Sequence, residues 1–174
     1  MTKAGTPSQG KLGQAFSFGA ASGALLTSSV NTYGFGSGDF TVSFWMKSTT
    51  ATCNIMALTG ASTAGYFALI LSGSQLYWQS AYAATNGVNN SAAAILDGKW
   101  HLVTVRRSGT TETMLFDGVQ QASTFTDSTN YNQTSVLRIG NGAYGQLIGS
   151  LDDIRIYNRA LSTAEITQLY NTGK

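Results

Sequence analysis

Only one cysteine, one histidine and one proline occur among the 174 residues of this chain. A lone Cys53 excludes an internal disulfide. Its place beside Ile55-Met56-Ala57-Leu58 reads as a buried, inert thiol, because free cysteine behaves as a small hydrophobe. A lone His101, with no Ser-His-Asp or metal-ligand spacing around it, reads as a sheet-face residue rather than a catalytic or zinc-binding one. Charge is scarce too: 10% of the residues are Asp, Glu, Lys or Arg, against roughly 25% in an average soluble protein. The net charge of +2 is spread along the chain and Arg106-Arg107 is the one basic pair, so no electrostatic footprint for nucleic acid exists. No apolar run approaches the ~20 residues of a membrane span, so membrane insertion is not expected. Residues 1–7 carry no apolar leader core, so no signal peptide is expected. A place outside the cell, on a cell or virion surface, would then need a removed leader, a larger parent chain, lysis or virion assembly.

What is present is apolar and hydroxyl- or amide-bearing. Hydrophobic residues make up 43%, enough for a core, and folding at this length buries roughly 70% of the surface the unfolded chain exposes. Ser, Thr, Asn, Gln, Gly and Ala take the place of charge, which suits sheets and neutral hydrogen-bonding partners. Residues 1–10 are polar, contain the proline and read as a tail or linker. Residues 11–174 read as one domain.

Within that domain short strands alternate with Gly, Ser and Asn clusters. In Phe40–Met46 the residues Phe40, Val42, Phe44 and Met46 share one face, and Thr41, Ser43 and Trp45 the other. Tyr66–Leu71 is apolar on both faces and is expected as a central strand. Gly73-Ser74 turns it into Gln75–Gln79. Trp100–Arg106 is a further strand. Asp117-Gly118 between Thr113–Phe116 and Val119–Ala122 is a strong hairpin signal. Val136–Ile139 and Ser150–Tyr157 complete the set. Ser162-Thr163-Ala164-Glu165 is a capping box, followed by Ile166, Leu169 and Tyr170 at helical spacing and Gly173 at the stop. The pattern predicts an all-β fold: a two-sheet antiparallel jelly-roll sandwich with one short C-terminal helix.

Four stretches in order, Gly10–Phe18, Gly38–Lys47, Leu96–Arg106 with Leu115-Phe116-Asp117-Gly118, and Leu137–Asn141 with Gly149–Ser162, resemble the laminin G-like/pentraxin-like branch of the concanavalin A-like lectin and glucanase superfamily. The resemblance runs from about Lys11 to Tyr170. It implies a two-sheet jelly roll and a history of sugar binding or adhesion. Fold alone does not settle function. Where the family often carries Asp-Gly after the first apolar strand, this chain reads Phe18-Gly19-Ala20, so a family-type calcium site lacks an acid there.

The sequence offers residues for three kinds of site. Glycoside hydrolysis needs two carboxyls roughly 5–9.5 Å apart, and the family's Glu-x-Asp-x-x-Glu pattern is absent. Glu165 is taken by the helix cap, Glu112 is expected to be solvated beside its hairpin, and Asp152 and Asp153 are expected on opposite faces of their strand, so no catalytic residue is assigned. Asp152 shares parity with Ile154 and Ile156 and leans inward. It is expected to accept from backbone amides or to pair with Arg138 or Arg155, with a structural calcium ion as the alternative. No other cofactor is expected. Sugar sites are built from exposed aromatic faces flanked by amides. Segments of that composition are Tyr33-Gly34-Phe35, Tyr77–Tyr82 with Asn86, Asn89 and Asn90, Asp127–Gln133, and Asn141–Gln146. Ligand contact is expected at Tyr77, Trp78, Tyr82, Asn86, Asn89, Asn90, Tyr131 and Tyr144, centred on the 78–90 segment. Tyr77 and Trp78 are adjacent in a strand, so one should enter the core and the other should be open.

The expected function is a non-catalytic glycan-binding or adhesion module of a cell or virion surface. The alternative is a structural virion-surface protein, a phage decoration or fibre head, with no specific sugar. Expected partners are a glycan or polysaccharide, a virion or cell-surface protein, and further copies of the same chain in a homo-oligomer.

Overall fold

The computed structural model describes residues 6–19, 35–60, 65–80, 87–131 and 135–174. Among these, twelve strands and one α-helix succeed one another: β1 (Thr6–Gln9), β2 (Gln14–Phe18), β3 (Phe40–Ser48), β4 (Cys53–Gly60), β5 (Phe67–Ser72), β6 (Gln75–Ser80), β7 (Asn89–Ser91), β8 (Trp100–Ser108), β9 (Thr111–Phe116), β10 (Val119–Thr126), β11 (Ser135–Ile139), β12 (Gly149–Tyr157) and α1 (Thr163–Thr172). They form a seven-stranded sheet, ordered β1-β2-β12-β3-β8-β9-β10, and a five-stranded sheet, ordered β11-β4-β5-β6-β7. Every pairing is antiparallel. No helix among the described residues is long and apolar enough to cross a membrane.

The alternation read in β3 is the one that builds the core. Phe40, Val42, Phe44 and Met46 point between the sheets, where they meet Phe67, Leu69 and Leu71 of β5 and Leu76 and Trp78 of β6. Trp45 points the other way, into a second apolar cluster with Leu102, Leu115, Leu161 and Ile166. The Tyr170 ring stacks on the Trp45 indole at 5.8 Å between centroids. α1 thus covers the outer face of the seven-stranded sheet, which is why Phe40–Met46 is buried without interruption. β5 is the middle strand of the smaller sheet, as its unbroken apolar run predicts. Cys53 is fully buried, and burial pushes its thiol up to about 12, which keeps it protonated and inert.

Turns follow their chemistry. Asp117 and Gly118 both lie at positive φ (52° and 81°), as do Gly73 and Ser74 (57° and 64°). Two consecutive left-handed residues give the primed hairpin turn whose twist matches that of the strands it joins.

One boundary is corrected. Residues 6–9, expected within a tail, form β1 and pair along the whole length of β2, Thr6 with Ser17 through Gln9 with Gln14. Pro7 is tolerated there because β1 is an edge strand, where a missing N–H interrupts no inner ladder.

The capping box of α1 is complete. Ser162 Oγ accepts from Glu165 N at 3.3 Å, and Glu165 Oε2 accepts from Ser162 N at 2.7 Å. Arg159, at 2.7 Å, and the Ser162 donors hold the Glu165 carboxyl down at about 2. Gly173 closes the helix for a packing reason: a Cβ there would lie 2.3 Å from the Trp45 ring. Ser162→Ala is expected to cost about 1 kcal/mol, a fall of roughly 2–4 °C in melting temperature for a chain of this size. Coincident calorimetric midpoints for variant and wild type would show that the cap does not secure α1.

Candidate ligand-binding face

The outer face of the five-stranded sheet is built by strand parity. Asn54 of β4, Ile70 of β5, Tyr77 of β6 and Asn89 of β7 stand opposite one another in a row across four strands. A second row runs Arg138, Ala57, Ala68 and Gln79. Leu76 and Trp78, the neighbours of Tyr77, turn inward to the core. Tyr77 lies outside, half-buried against Ala57, Tyr66, Ala68 and Ile70.

The segment between β11 and β12 brings a second aromatic to this face. Asn54 Oδ1 accepts from Tyr144 N at 2.6 Å, and Asn54 N donates to Gly145 O at 3.1 Å. Gly142 lies so close that a Cβ would stand 2.4 Å from Asn54 Cγ. Fixed in this way, Tyr144 stays 38% exposed. With Tyr77, Ile70, Ser72 and Gln79 it borders an open depression of about 140 Å³. That is well below the ~300–1,000 Å³ of a site that encloses a small molecule. It is a platform: two tyrosines, an aliphatic floor, and hydroxyl and amide groups at the margin.

The expected site residues divide into three groups. Tyr77, Asn89 and Tyr144 share this face. Tyr82 and Asn86, like Tyr33 and Gly34 of another aromatic segment, lie outside the described residues. Trp78, Asn90 and Tyr131 are corrections, because their side chains turn inward between the two sheets, away from this face. Asn90 has the parity of Leu76 and uses its Oδ1 to accept from Ser123 N of the opposite sheet at 3.1 Å. Sequence reasoning missed Ile70, Ser72 and Gln79, which border the depression although Ile70 and Gln79 are largely covered, and Asn54, which holds Tyr144 in place. Their common parity with Tyr77 was the available signal.

Trp78 and Tyr131 belong to a buried polar cluster. The Tyr131 hydroxyl donates to Asp127 Oδ2 at 2.9 Å, accepts from Trp78 Nε1 at 3.3 Å, and stands 3.3 Å from Glu112 Oε1. A hydroxyl has one proton and two lone pairs, so the link to Glu112 is completed by a proton on Glu112. Burial first, and then the Asp127 charge, push the Glu112 carboxyl up to about 9. Burial alone would raise Asp127 as well, but the bonds from Thr129 and Tyr131 outweigh it and hold that carboxyl below its ordinary value. Arg107, fully buried, donates through Nη1 to Asp127 (3.0 Å) and Thr129 O (2.8 Å), and through Nε and Nη2 to Gly38 O and Gly36 O. The solvated Glu112 expected from the sequence is therefore corrected. Glu112 shares the inward parity of Met114 and Phe116 on β9.

His101 is more than a sheet-face residue. Its ring spans two turns, with Nδ1 2.7 Å from Asp117 Oδ2 and Nε2 3.0 Å from Asp97 Oδ1. Burial lowers its pKa, but the bonds and charges of Asp117 and Asp97 outweigh this and raise it above the ordinary value. Both ring nitrogens are thus committed to carboxylates of the turns that flank the β8–β9 hairpin.

A larger groove of about 510 Å³ runs between β2, β11 and β12. Its walls are mainly hydrocarbon, from Phe16, Leu137, Ile139, Ile154 and Ile156, and it offers a sugar few of the amides and hydroxyls that line the smaller depression. Asp152 and Asp153 both border it. Strict alternation put them on opposite faces, but β12 is irregular between Asp152 and Arg155, and Asp153 sits at φ 48°, so alternation fails there. Both are engaged. Asp152 accepts from Leu12 N (2.7 Å) and Asp153 N (2.8 Å), and Asp153 pairs with Arg155 at 2.8 Å.

The model of the concanavalin A-like lectin/glucanases superfamily matches residues 18–167. The chain belongs to that superfamily. No curated protein matches it. Domain 4 of the extracellular arabinanase from Geobacillus stearothermophilus, solved with arabinotriose, superposes at a TM-score of 0.70 and 20% identity, covering 97% of this chain and 82% of its own. The binding domain of Paraclostridial Mosquitocidal Protein 1 gives 0.71 at 16% identity, covering 97% of this chain and 46% of its own. The binding domain of botulinum neurotoxin DC, solved with SialylT, gives 0.72 at 16%, covering 98% and 45%. At these identities the likeness is one of fold. The chain spans about half the length of the two toxin binding domains.

Two features associated with the concanavalin A-like superfamily can be set against this geometry. The glucanase arrangement of Glu-x-Asp-x-x-Glu along one strand does not occur in the sequence. Calcium takes six to eight oxygens. Both carboxylate oxygens of Asp152 already accept from backbone amides, and among the described residues no three acidic, histidine or cysteine groups converge.

Proposed function

We propose that this chain is a non-catalytic glycan-binding or adhesion module, acting at a cell or virion surface through the outer face of its five-stranded sheet. The observation that carries the reading is the pair Tyr77 and Tyr144, brought together over Ile70 with Ser72 and Gln79 beside them. Tyrosine faces pack on the C–H surfaces of a sugar ring, and amides offer both donors and acceptors to its hydroxyls. The arabinanase domain solved with arabinotriose supports a sugar as the ligand on this fold. So shallow a site binds weakly, and presentation of several copies on a surface would supply avidity.

Tyr77→Ala and Tyr144→Ala are each expected to weaken oligosaccharide binding about tenfold, near 1.4 kcal/mol, in titration calorimetry or ligand-observed NMR. Phe16→Ala, in the distant apolar groove, should leave binding unchanged. Equal loss from all three variants would mean that the platform is not the site. A chain that binds no glycan, alone or as a multivalent display, would instead be a structural surface protein. Release of reducing ends from polysaccharide is expected to stay at background.

A further inference from the structure

Charge is missing from every element that builds the tyrosine platform. From Ser48 to Leu96 the sequence contains no Asp, Glu, Lys, Arg or His, and this stretch supplies β4, β5, β6 and β7. The Ile139–Leu151 stretch that carries Tyr144 is uncharged as well. Arg138 is the one charge borne by the five strands. It stands in the row Arg138, Ala57, Ala68, Gln79, so three strand spacings, roughly 14 Å, separate its backbone from that of Gln79. Arg138 is not among the residues that border the depression.

Solubility does not call for such a face. Exposed sheet surfaces and edge strands ordinarily carry lysine and glutamate, which blunt aggregation. Here the edge strand β7 reads Asn-Asn-Ser. The charges sit instead on and around the other sheet, as in Lys47, Arg106, Asp117 and Arg155. A carboxylate, sulfate or phosphate laid on Tyr77 and Tyr144 would lose hydration with no cation among the bordering residues to replace it. An ammonium would find no carboxylate. A sugar hydroxyl leaving water finds the Ser72 hydroxyl at the margin, which can both donate and accept.

We infer that the platform takes uncharged glycan, namely neutral sugar residues without carboxylate, sulfate, phosphate or ammonium, and that this binding does not depend on ionic strength. The inference rests on the glycan reading above and adds the charge class of the ligand. It makes the lack of charge a selectivity device, since anionic polymers that coat many surfaces are refused through desolvation rather than repulsion.

The test uses the whole chain on an array holding two panels. One contains neutral arabino-, xylo-, gluco-, manno- and galacto-oligosaccharides. The other contains oligogalacturonate, oligoalginate, sialylated and sulfated oligosaccharides. Each hit is then titrated at about 0.05 M and about 0.5 M NaCl, a range over which the Debye length shortens roughly threefold. The expected result is hits confined to the neutral panel, with Kd changing less than roughly twofold between the two salts, and loss of those hits in the Tyr77→Ala/Tyr144→Ala variant. Ser72→Lys, which sets an ammonium at the margin, should then admit acidic oligosaccharides in a salt-sensitive way. Wild-type hits in the acidic panel that require Tyr77 and fade at high salt would overturn the neutral class while leaving the glycan reading intact. Absence of any Tyr77- or Tyr144-dependent hit in either panel would overturn both.

Discussion

Replacing Arg107 with methionine should lower the stability of the fold by about 3–5 kcal/mol, the range for breaking a buried ion pair from one side. The Arg107 guanidinium is fully buried, lies 5.1 Å from the centroids of both the Phe40 and Tyr131 rings, and ties the segment before β3 to the one after β10. Methionine restores the hydrocarbon volume but leaves the Asp127 carboxylate and the carbonyls of Gly36, Gly38 and Thr129 without their donor. Arg107→Lys should recover part of the loss, since one ammonium keeps the charge on Asp127 and cannot reach every carbonyl that a fork serves. Denaturant unfolding reads both variants. If methionine and lysine variants unfold at the wild-type midpoint, the cluster contributes packing alone.

Glu112→Gln should act in the opposite direction, raising stability at pH 7 by about 1–3 kcal/mol. The sign follows from proton counts. Unfolded, Glu112 titrates near 4.3; folded, it titrates at about 9. Between those values the folded chain holds one proton more than the unfolded chain, so stability is fully present below the lower value and falls as pH rises to the upper. Glutamine has no proton to lose, and its amide N–H replaces the acid O–H toward Tyr131 or Asp127. The stability difference between variant and wild type should therefore widen from pH 5 to pH 9. His101 contributes a decline of the same sign as pH rises through its own raised value, and that part should persist in the variant. Unfolding curves at pH 5, 7 and 9 that run parallel for the two proteins would show that Glu112 is ionised in the fold.

The difference between what could and could not be read ahead of the structure follows the range of the interactions. Period-two alternation, the Asp117-Gly118 turn and the Ser162–Glu165 cap are local, and each appears where its residues predict it. Tyr77 and Trp78 were bound to part company for the same reason, and the polar phase of Gln75, Tyr77 and Gln79 already tells which one faces out. Tyr144 reaches the platform only through Asn54, a residue 90 positions away, and no local pattern records that contact. The buried cluster eluded the reading for a related cause. Tyr131 looked like one more loop tyrosine because its partners Glu112, Arg107 and Trp78 come from three different strands. At Asp153 a local rule failed outright, since a single non-glycine residue in the left-handed region reverses the facing of everything that follows it in β12.

The helix packed on Trp45 marks the back of the molecule, and the amines gather there. Lys11 reaches over the Trp45 ring, Lys174 over Tyr170, and Lys47 shares the outward parity of Trp45. Lys11, Lys47 and Lys174 thus belong to one side, opposite Tyr77 and Tyr144. Chemistry that grips the protein through these lysines, whether a sensor chip, a bead or a dye, will turn the five-stranded sheet to the solution.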